Sequence, residues 1–420
     1  MGGGLVQLVA NKTNDTLFLI GNPEISFFKV VYRRHTHFAI ESVEQKFVGD
    51  NPSIGTQLTA IISKEADLCG AMYLEITLPH VLNSNSERYI YGVGNAIVKQ
   101  ASIDIGGTVI DTHYSDWLNI WSELTVPKCK REGYDRMVGN DPANLFAVAT
   151  SLTAGNNSPF SNRLYVPLQF WFNRNPGLAL PLLALQNSQV KLTIQLATYA
   201  ELANAGTITD PNSEFSCRLF IDYYYLDNEE RRRFNQLTHE YLIEQLQYNN
   251  GVAITSADIN KNKNIELQFE RPIKELIWVN HYSSSKQFDY SDGTNAELSF
   301  AAKLFVNGQD RFMERYAAYF RLVQNKTCHT NIPRTKVYNI SQNGVISSSS
   351  SANYNQFIYT YSFAMFPEEL QPSGHCNFSR IERSTMQINY DTVAANYTLK
   401  IYAVNYNVFR ISGGTASLVY

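Results

Sequence analysis

His35 and His37 are spaced i,i+2, so on a strand they would share one face, a spacing from which two imidazoles can ligate a metal. They directly follow Arg33 and Arg34, and no further ligand is evident. The segment therefore reads as a polar patch that bonds a neighbouring surface. Cys328-His329 and His375-Cys376 form a second suggestive set. Adjacent residues on a strand point to opposite faces, so neither pair is set up to close on one ion. Glu229, Glu230, Glu240 and Glu244 could supply the two carboxylates of glycoside hydrolysis. Beside Arg231, Arg232 and Arg233 they read instead as a solvated, salt-paired segment. The three arginines could touch phosphate, but the acids before them favour an interdomain or intersubunit contact. No P-loop, HExxH or GxSxG pattern occurs, and Gly92-Val93-Gly94 lacks the third glycine of a dinucleotide fingerprint. No catalytic residue, cofactor or metal is expected.

The elements that would carry these residues are mostly strands. Met72, Leu74, Ile76 and Leu78 alternate with Tyr73, Glu75 and Thr77; Val190, Leu192, Ile194 and Leu196 repeat the pattern. So do Cys217, Leu219, Ile221 and Tyr223, then Met386, Ile388 and Tyr390, then Tyr397, Leu399 and Ile401. Period-2 alternation places one apolar face on a core. Helical signals are few. The best runs on from Asp227, which can cap it, with Asp227/Arg231 and Glu229/Arg233 spaced as i,i+4 pairs. Its charge density marks it as the connector between two domains.

An internal repeat supports that cut. Gly106-Gly107 and Asn307-Gly308 each give a two-residue hairpin turn. The alternating strand at Leu192 and Ile194 has its counterpart at Met386 and Ile388. An aromatic strand and then proline precede each: Phe170-Trp171-Phe172 with Pro181, and Tyr361-Ser362-Phe363 with Pro367. Polar loops are expected over residues 139–162 and 200–214, and the serine run 347–351 reads as a flexible tip.

Composition sets limits. The chain has 420 residues, 44% hydrophobic and only 17% charged, with 26 Tyr and 23 Phe, so it can build large cores and reads as all-β. A net charge of −3 leaves no cationic surplus for coating a genome, so direct nucleic-acid binding is not expected. No apolar run reaches the length of a membrane span, and the N-terminus reads as neither a signal peptide nor a myristoylation site. Five widely spaced cysteines without a CxxC fit free thiols in a reducing compartment. Sequons stand at Asn11, Asn14, Asn156, Asn325, Asn339, Asn377 and Asn396; Asn156, in an expected loop, is the best candidate for glycosylation.

Several segments, in order along the chain, resemble the major capsid proteins of nucleocytoplasmic large DNA viruses, above all the algal-virus branch. They are residues 2–10 and 21–38, with Gly21-Asn22-Pro23 and Arg33-Arg34-His35; 171–181, with Trp171-Phe172-Asn173-Arg174-Asn175-Pro176; 226–234 and 239–247; 304–311; 370–374 with 377–380; and 402–410 with Gly413-Gly414. The resemblance implies two tandem eight-stranded antiparallel jelly-roll sandwiches, a double jelly roll with long loops and a few short helices. The expected layout is an N-terminal arm over 1–24, a first jelly roll over 25–226, a connector over 227–240 and a second jelly roll over 241–420. The function implied is that of a structural subunit. It would homotrimerise into pseudo-hexagonal capsomers that tile the icosahedral shell of a large double-stranded DNA virus, assembled in the host cytoplasm. Implied partners are other copies, minor capsid and penton proteins, and an internal viral membrane near the arm. Arg33, Arg34, His35, His37, Arg231, Arg232 and Arg233 are the candidate assembly contacts. Other readings are a related shell protein, an assembly scaffold, or a virion protein that attaches to glycans, for which Tyr199 and Phe160 are the available loop aromatics.

Overall fold

The computed structural model describes residues 2–10, 17–49, 52–79, 88–140, 163–205, 215–259, 261–283, 288–292, 296–334, 338–340, 346–348, 356–391 and 396–420. The chain divides into two compact units, Met1–His37 and Phe38–Tyr420. In the first, α1 (Gly3–Ala10) has no buried residue, and Leu5, Val6, Leu8, Val9, Phe27 and Phe28 are all exposed. Among the described residues no helix is long and apolar enough to cross a membrane.

In the second unit, sixteen strands form four antiparallel sheets. In chain order they are β1 (Phe38–Gln45), β2 (Gln57–Ile61), β3 (Leu68–Thr77), β4 (Val98–Ile105), β5 (Thr108–Tyr114), β6 (Arg163–Pro167), β7 (Val190–Leu196) and β8 (Ser216–Leu226). Then come β9 (His239–Ile254), β10 (Asn262–Glu266), β11 (Pro272–Tyr282), β12 (Ser299–Val306), β13 (Gln309–Tyr316), β14 (Tyr359–Ser362), β15 (Ser384–Tyr390) and β16 (Tyr397–Ser412). The sheets run β1-β8-β3-β6 and β2-β7-β4-β5, then β9-β16-β11-β14 and β10-β15-β12-β13. Each order in the second half is that of the first moved on by eight strands, so the two halves share one topology, a double jelly roll. Short strands at Leu180–Pro181, Cys376–Asn377 and Thr415–Leu418 extend these paths to sheets of five, four, six and four strands.

Local sequence explains much of this. In β7 Val190, Leu192, Ile194 and Leu196 are buried and their neighbours are not. Gly106 and Gly107 have φ of 66° and 86°, and Asn307 and Gly308 have 49° and 78°. Positive φ at both central positions is the hairpin turn whose twist matches the flanking strands. The connector is a helix, Asn228–Gln236, whose first turn is capped by the Asp227 carboxylate accepting from Glu230 N at 2.9 Å.

Three expectations change. Arg231 turns away from Asp227 and pairs with the buried Asp67 at 2.8 Å, which also accepts from Leu226 N at 2.9 Å. The connector is thereby pinned to the strand that precedes it. Ser347 and Ser348 belong to a strand, Ile346–Ser348, paired with Tyr338–Ile340. Two helices stand outside the expected elements: α2 (Ser115–Thr125), buried along all but its last residue and carrying Trp117, Ile120, Trp121 and Leu124 at helical spacing, and α3 (Lys128–Met137).

Candidate assembly site at the seam of two sandwiches

β5 runs directly into α2, and together they form the first sandwich's side of a seam. Trp117, Leu118, Ile120, Trp121 and Leu124 are buried, and so are Asp116, Asn119, Ser122 and Glu123 between them. A helix buried all round must find partners for its polar side chains. Most lie in the second half of the chain. Lys400 of β16 reaches Asp116 at 2.6 Å, and Tyr290 Oη donates to the same carboxylate at 3.1 Å. Asn119 donates to Gln356 at 3.2 Å, and Glu123 takes Arg334 at 2.6 Å and Arg131 at 2.5 Å.

The edge strand β5 is covered by β9. Gln245 donates to Ile110 O at 2.5 Å, and Leu246 N donates to Asp111 at 3.0 Å. The ring of Tyr114 lies 5.2 Å from that of Tyr248, which stacks on Tyr402 at 5.0 Å. Trp117 packs on Tyr402 at 5.8 Å and Trp171 on Phe409 at 5.9 Å. A further cluster joins the halves: Glu244 binds the fully buried Lys274, and Arg174 at 3.0 Å. Arg174 also lies over the ring of Trp121 at 4.7 Å.

Charge states follow from these pairings. Burial, the largest single effect, would push the Asp116 carboxyl up, but Lys400, His281 and the Tyr290 hydrogen bond together hold the group below its usual range. Glu123 is held low against the same burial by Arg334 and Arg131, and Glu244 by Lys274 and Arg174. His281, facing Asp116, is pushed down to about 4 by burial, with Lys400 acting in the same direction. His329 goes the other way. Burial disfavours its charge, yet Glu275 at 3.2 Å and Glu368 at 3.0 Å raise it to about 9. It is an imidazolium clamped between two carboxylates. Cys328 beside it has a thiol pushed up by burial.

Of the residues named from sequence, Glu244 stands at this seam, and the candidate assembly contacts take no part in the pairings described there. Arg33, Arg34, His35 and His37 are exposed in the unit Met1–His37, where His35 Nδ1 lies 2.7 Å from Thr36 O. Arg232 and Arg233 are exposed on the connector, and Arg231 holds Asp67. Asn156 and Phe160 lie outside the described residues, while the Asn325 sequon is fully buried and donates to Arg321 O and Ile358 O. Glu240 pairs with Arg410 at 2.7 Å, so the acids near the connector do not converge as a catalytic pair. A cleft of about 800 Å³ opens beside α2, lined in part by Trp121, Tyr134, Arg174 and Glu368. Trp121 has Arg174 on one side and Trp117 stacked at 5.4 Å, so its ring is no open platform for a sugar. Asp116, Lys400, Glu123 and Arg334 escaped the sequence reading. Their one signal is that each is a charge inside an apolar or weakly charged stretch of a chain poor in charge.

A family model described as the major capsid protein N-terminus matches residues 26–227. A second, the large eukaryotic DNA virus major capsid protein, matches 230–357 and 353–417. The major capsid protein of Pyramimonas orientalis virus is 41% identical, and that of Paramecium bursaria Chlorella virus 1 is 36% identical, each alignment covering 100% of both chains. Among solved structures, PBCV-1 VP54 superposes with a TM-score of 0.76 at 30% identity, over 94% of this chain and 100% of that one. The Faustovirus major capsid protein shares the fold at 12% identity, with a TM-score of 0.69 over 98% of this chain and 97% of that one. Two like sandwiches locked by a buried seam, matched end to end by these relatives, place the chain in the major capsid protein family of large eukaryotic DNA viruses.

Proposed function

We propose that three copies of this chain close into a capsomer with pseudo-sixfold outline, and that such capsomers tile an icosahedral shell built in the host cytoplasm. The observation that carries this reading is the repeated strand order within one compact unit. Three chains supply six like sandwiches; closed threefold symmetry satisfies the contacts between them and leaves the outer edges to tile. The seam supports it too, since a pair of sandwiches fixed by buried ion pairs adds to a ring as one rigid block. The division into an arm at 1–24, jelly rolls at 25–226 and 241–420 and a connector at 227–240 belongs to the same proposal.

The exposed apolar side chains Leu5, Val6, Leu8 and Val9 support a docking role for the arm. Its partners in this reading are minor capsid and penton proteins and the internal viral membrane. Arg33, Arg34, His35, His37, Arg231, Arg232 and Arg233 remain proposed contacts between subunits or with those partners, and Asn156 a proposed glycosylation site. The test is native mass by light scattering after size exclusion. A species at three times 47.6 kDa is expected, and a stable monomer at micromolar concentration would contradict the reading.

A further inference from the structure

We propose that the β13 edge of one copy docks on the outer face of β1 and β8 in the next copy, repeating between chains the contact that β5 makes with β9 and β16 within the chain. The inference rests on the trimer reading and names the surfaces that meet in it.

Counting from the hairpin turns fixes the equivalence of the two edges. In the first sandwich Ile105 faces Thr108 beside the turn and Gln100 faces Tyr114. In the second, Val306 faces Gln309, and Ala301, as far back from its turn as Gln100, faces Tyr316. Tyr114 and Tyr316 thus hold the same place. Each ends its edge strand, and each leads straight into helix, α2 in one case and the turn before the π-helix Tyr319–Gln324 in the other.

Their surroundings differ. Tyr114 is half-buried against Tyr248 across the seam. Tyr316 is 67% exposed, touching Phe300 edge-on at 5.2 Å, and Met313 on the same strand is 78% exposed. An edge covered in one sandwich is bare in its twin.

The receiving face also has a twin. At the seam, β9 and β16 present the Tyr248–Tyr402 stack. In the first sandwich the equivalent sheet presents an aromatic stack one strand further in, Phe220 of β8 on Tyr73 of β3 at 5.3 Å. Val43 of β1 packs on the core, so Ile40, Ser42 and Glu44 turn to this outer face, where Ser42 bonds Tyr73 at 3.2 Å. Ile40 is 56% exposed, and Glu44, opposite Phe220 in register, is exposed. The edge and the face also differ in charge: exposed Arg315 precedes Tyr316 and lies over the ring of Tyr319 at 4.3 Å, and exposed Glu44 stands opposite Phe220. Among the described residues each chain therefore carries a bare edge and a bare face of unlike kind. Such a heterologous contact closes as a ring when successive copies are turned by a fraction of a full circle, which the trimer reading sets at one third.

The test uses two variants of the full chain. Met313→Glu/Tyr316→Glu spoils the edge, and Ile40→Glu/Glu44→Lys spoils the face. All four positions are exposed, so unchanged circular dichroism and melting are expected. Each variant alone should run at one third of the wild-type native mass. An equal mixture should give a species at two thirds, because one sound edge then meets one sound face. Wild-type trimer with both variants still trimeric would overturn the proposed surfaces and leave the trimer standing. A monomeric wild type would overturn the trimer and this contact together. Should a variant misfold, amide exchange on the wild-type trimer decides. Slower exchange over 38–45 and 309–316 than in the diluted monomer is expected, and equal exchange would refute the contact.

Discussion

Lys400 Nζ lies 2.6 Å from Asp116 Oδ2, joining the last long strand of the second sandwich to the buried helix of the first. A lysine in a strand and an aspartate beside a tryptophan are costly to bury singly. Together, with Tyr290 as a second donor to the carboxylate, they fix how the two sandwiches meet. Removing one partner leaves the other charge uncompensated. Asp116→Asn should cost about 3–5 kcal/mol in urea unfolding, whereas Asp116→Leu with Lys400→Met should cost far less, as for other buried pairs replaced by apolar residues.

The aromatic part of the seam is tested by Trp117→Ala. The ring is fully buried and contacts Trp121 and Tyr402. Its loss should destabilise the chain by about 3–5 kcal/mol, the range for large aromatic deletions in cores. Tyr316→Ala, at the equivalent edge, should leave monomer stability within about 0.5 kcal/mol, as surface changes do.

Stability should fall at both ends of the pH range. Asp116, Glu123 and Glu244 are held low in the folded protein, so the unfolded chain binds protons there more readily. Their contribution is complete above the ordinary carboxylate range and is lost as pH falls through the depressed values. His329 is raised from 6.5 to about 9, so the folded state keeps a proton that the unfolded state releases. Its contribution is complete below about 6.5 and is lost as pH rises through about 9. His329→Gln should flatten the decline of unfolding free energy over that alkaline interval.

Thiol labelling separates the cysteines. All five are free, Cys129 is exposed, and Cys69 and Cys217 are buried. Burial pushes the Cys69 thiol well up, with Asp222 adding to it, and raises Cys217 to about 12. The thiolate is the reactive form, so Cys129 should label within minutes of adding a disulfide reagent, and Cys69 and Cys217 only on unfolding.

Much of the fold is written in short-range pattern. The alternation at Val190 to Leu196, the turns at Gly106-Gly107 and Asn307-Gly308 and the cap at Asp227 depend on neighbours a few residues away, and the structure carries each. The seam is different. Trp117, Ile120, Trp121 and Leu124 fall at helical spacing in α2, but nothing local shows that its polar side is buried as well, and Asp116 meets Lys400 across 284 residues of sequence. Arg231 shows the same limit: local spacing points to Asp227, but Asp67 on a distant strand is the partner. Pairings set by the packing of whole sheets leave little trace in local spacing.

Assembly in this form requires three copies to close one ring from two-sandwich blocks. Electron microscopy of the purified chain tests this most directly. Class averages should show a hexagonal outline with threefold symmetry and six lobes. Isolated two-lobed particles, or rings of any other chain number, would contradict it.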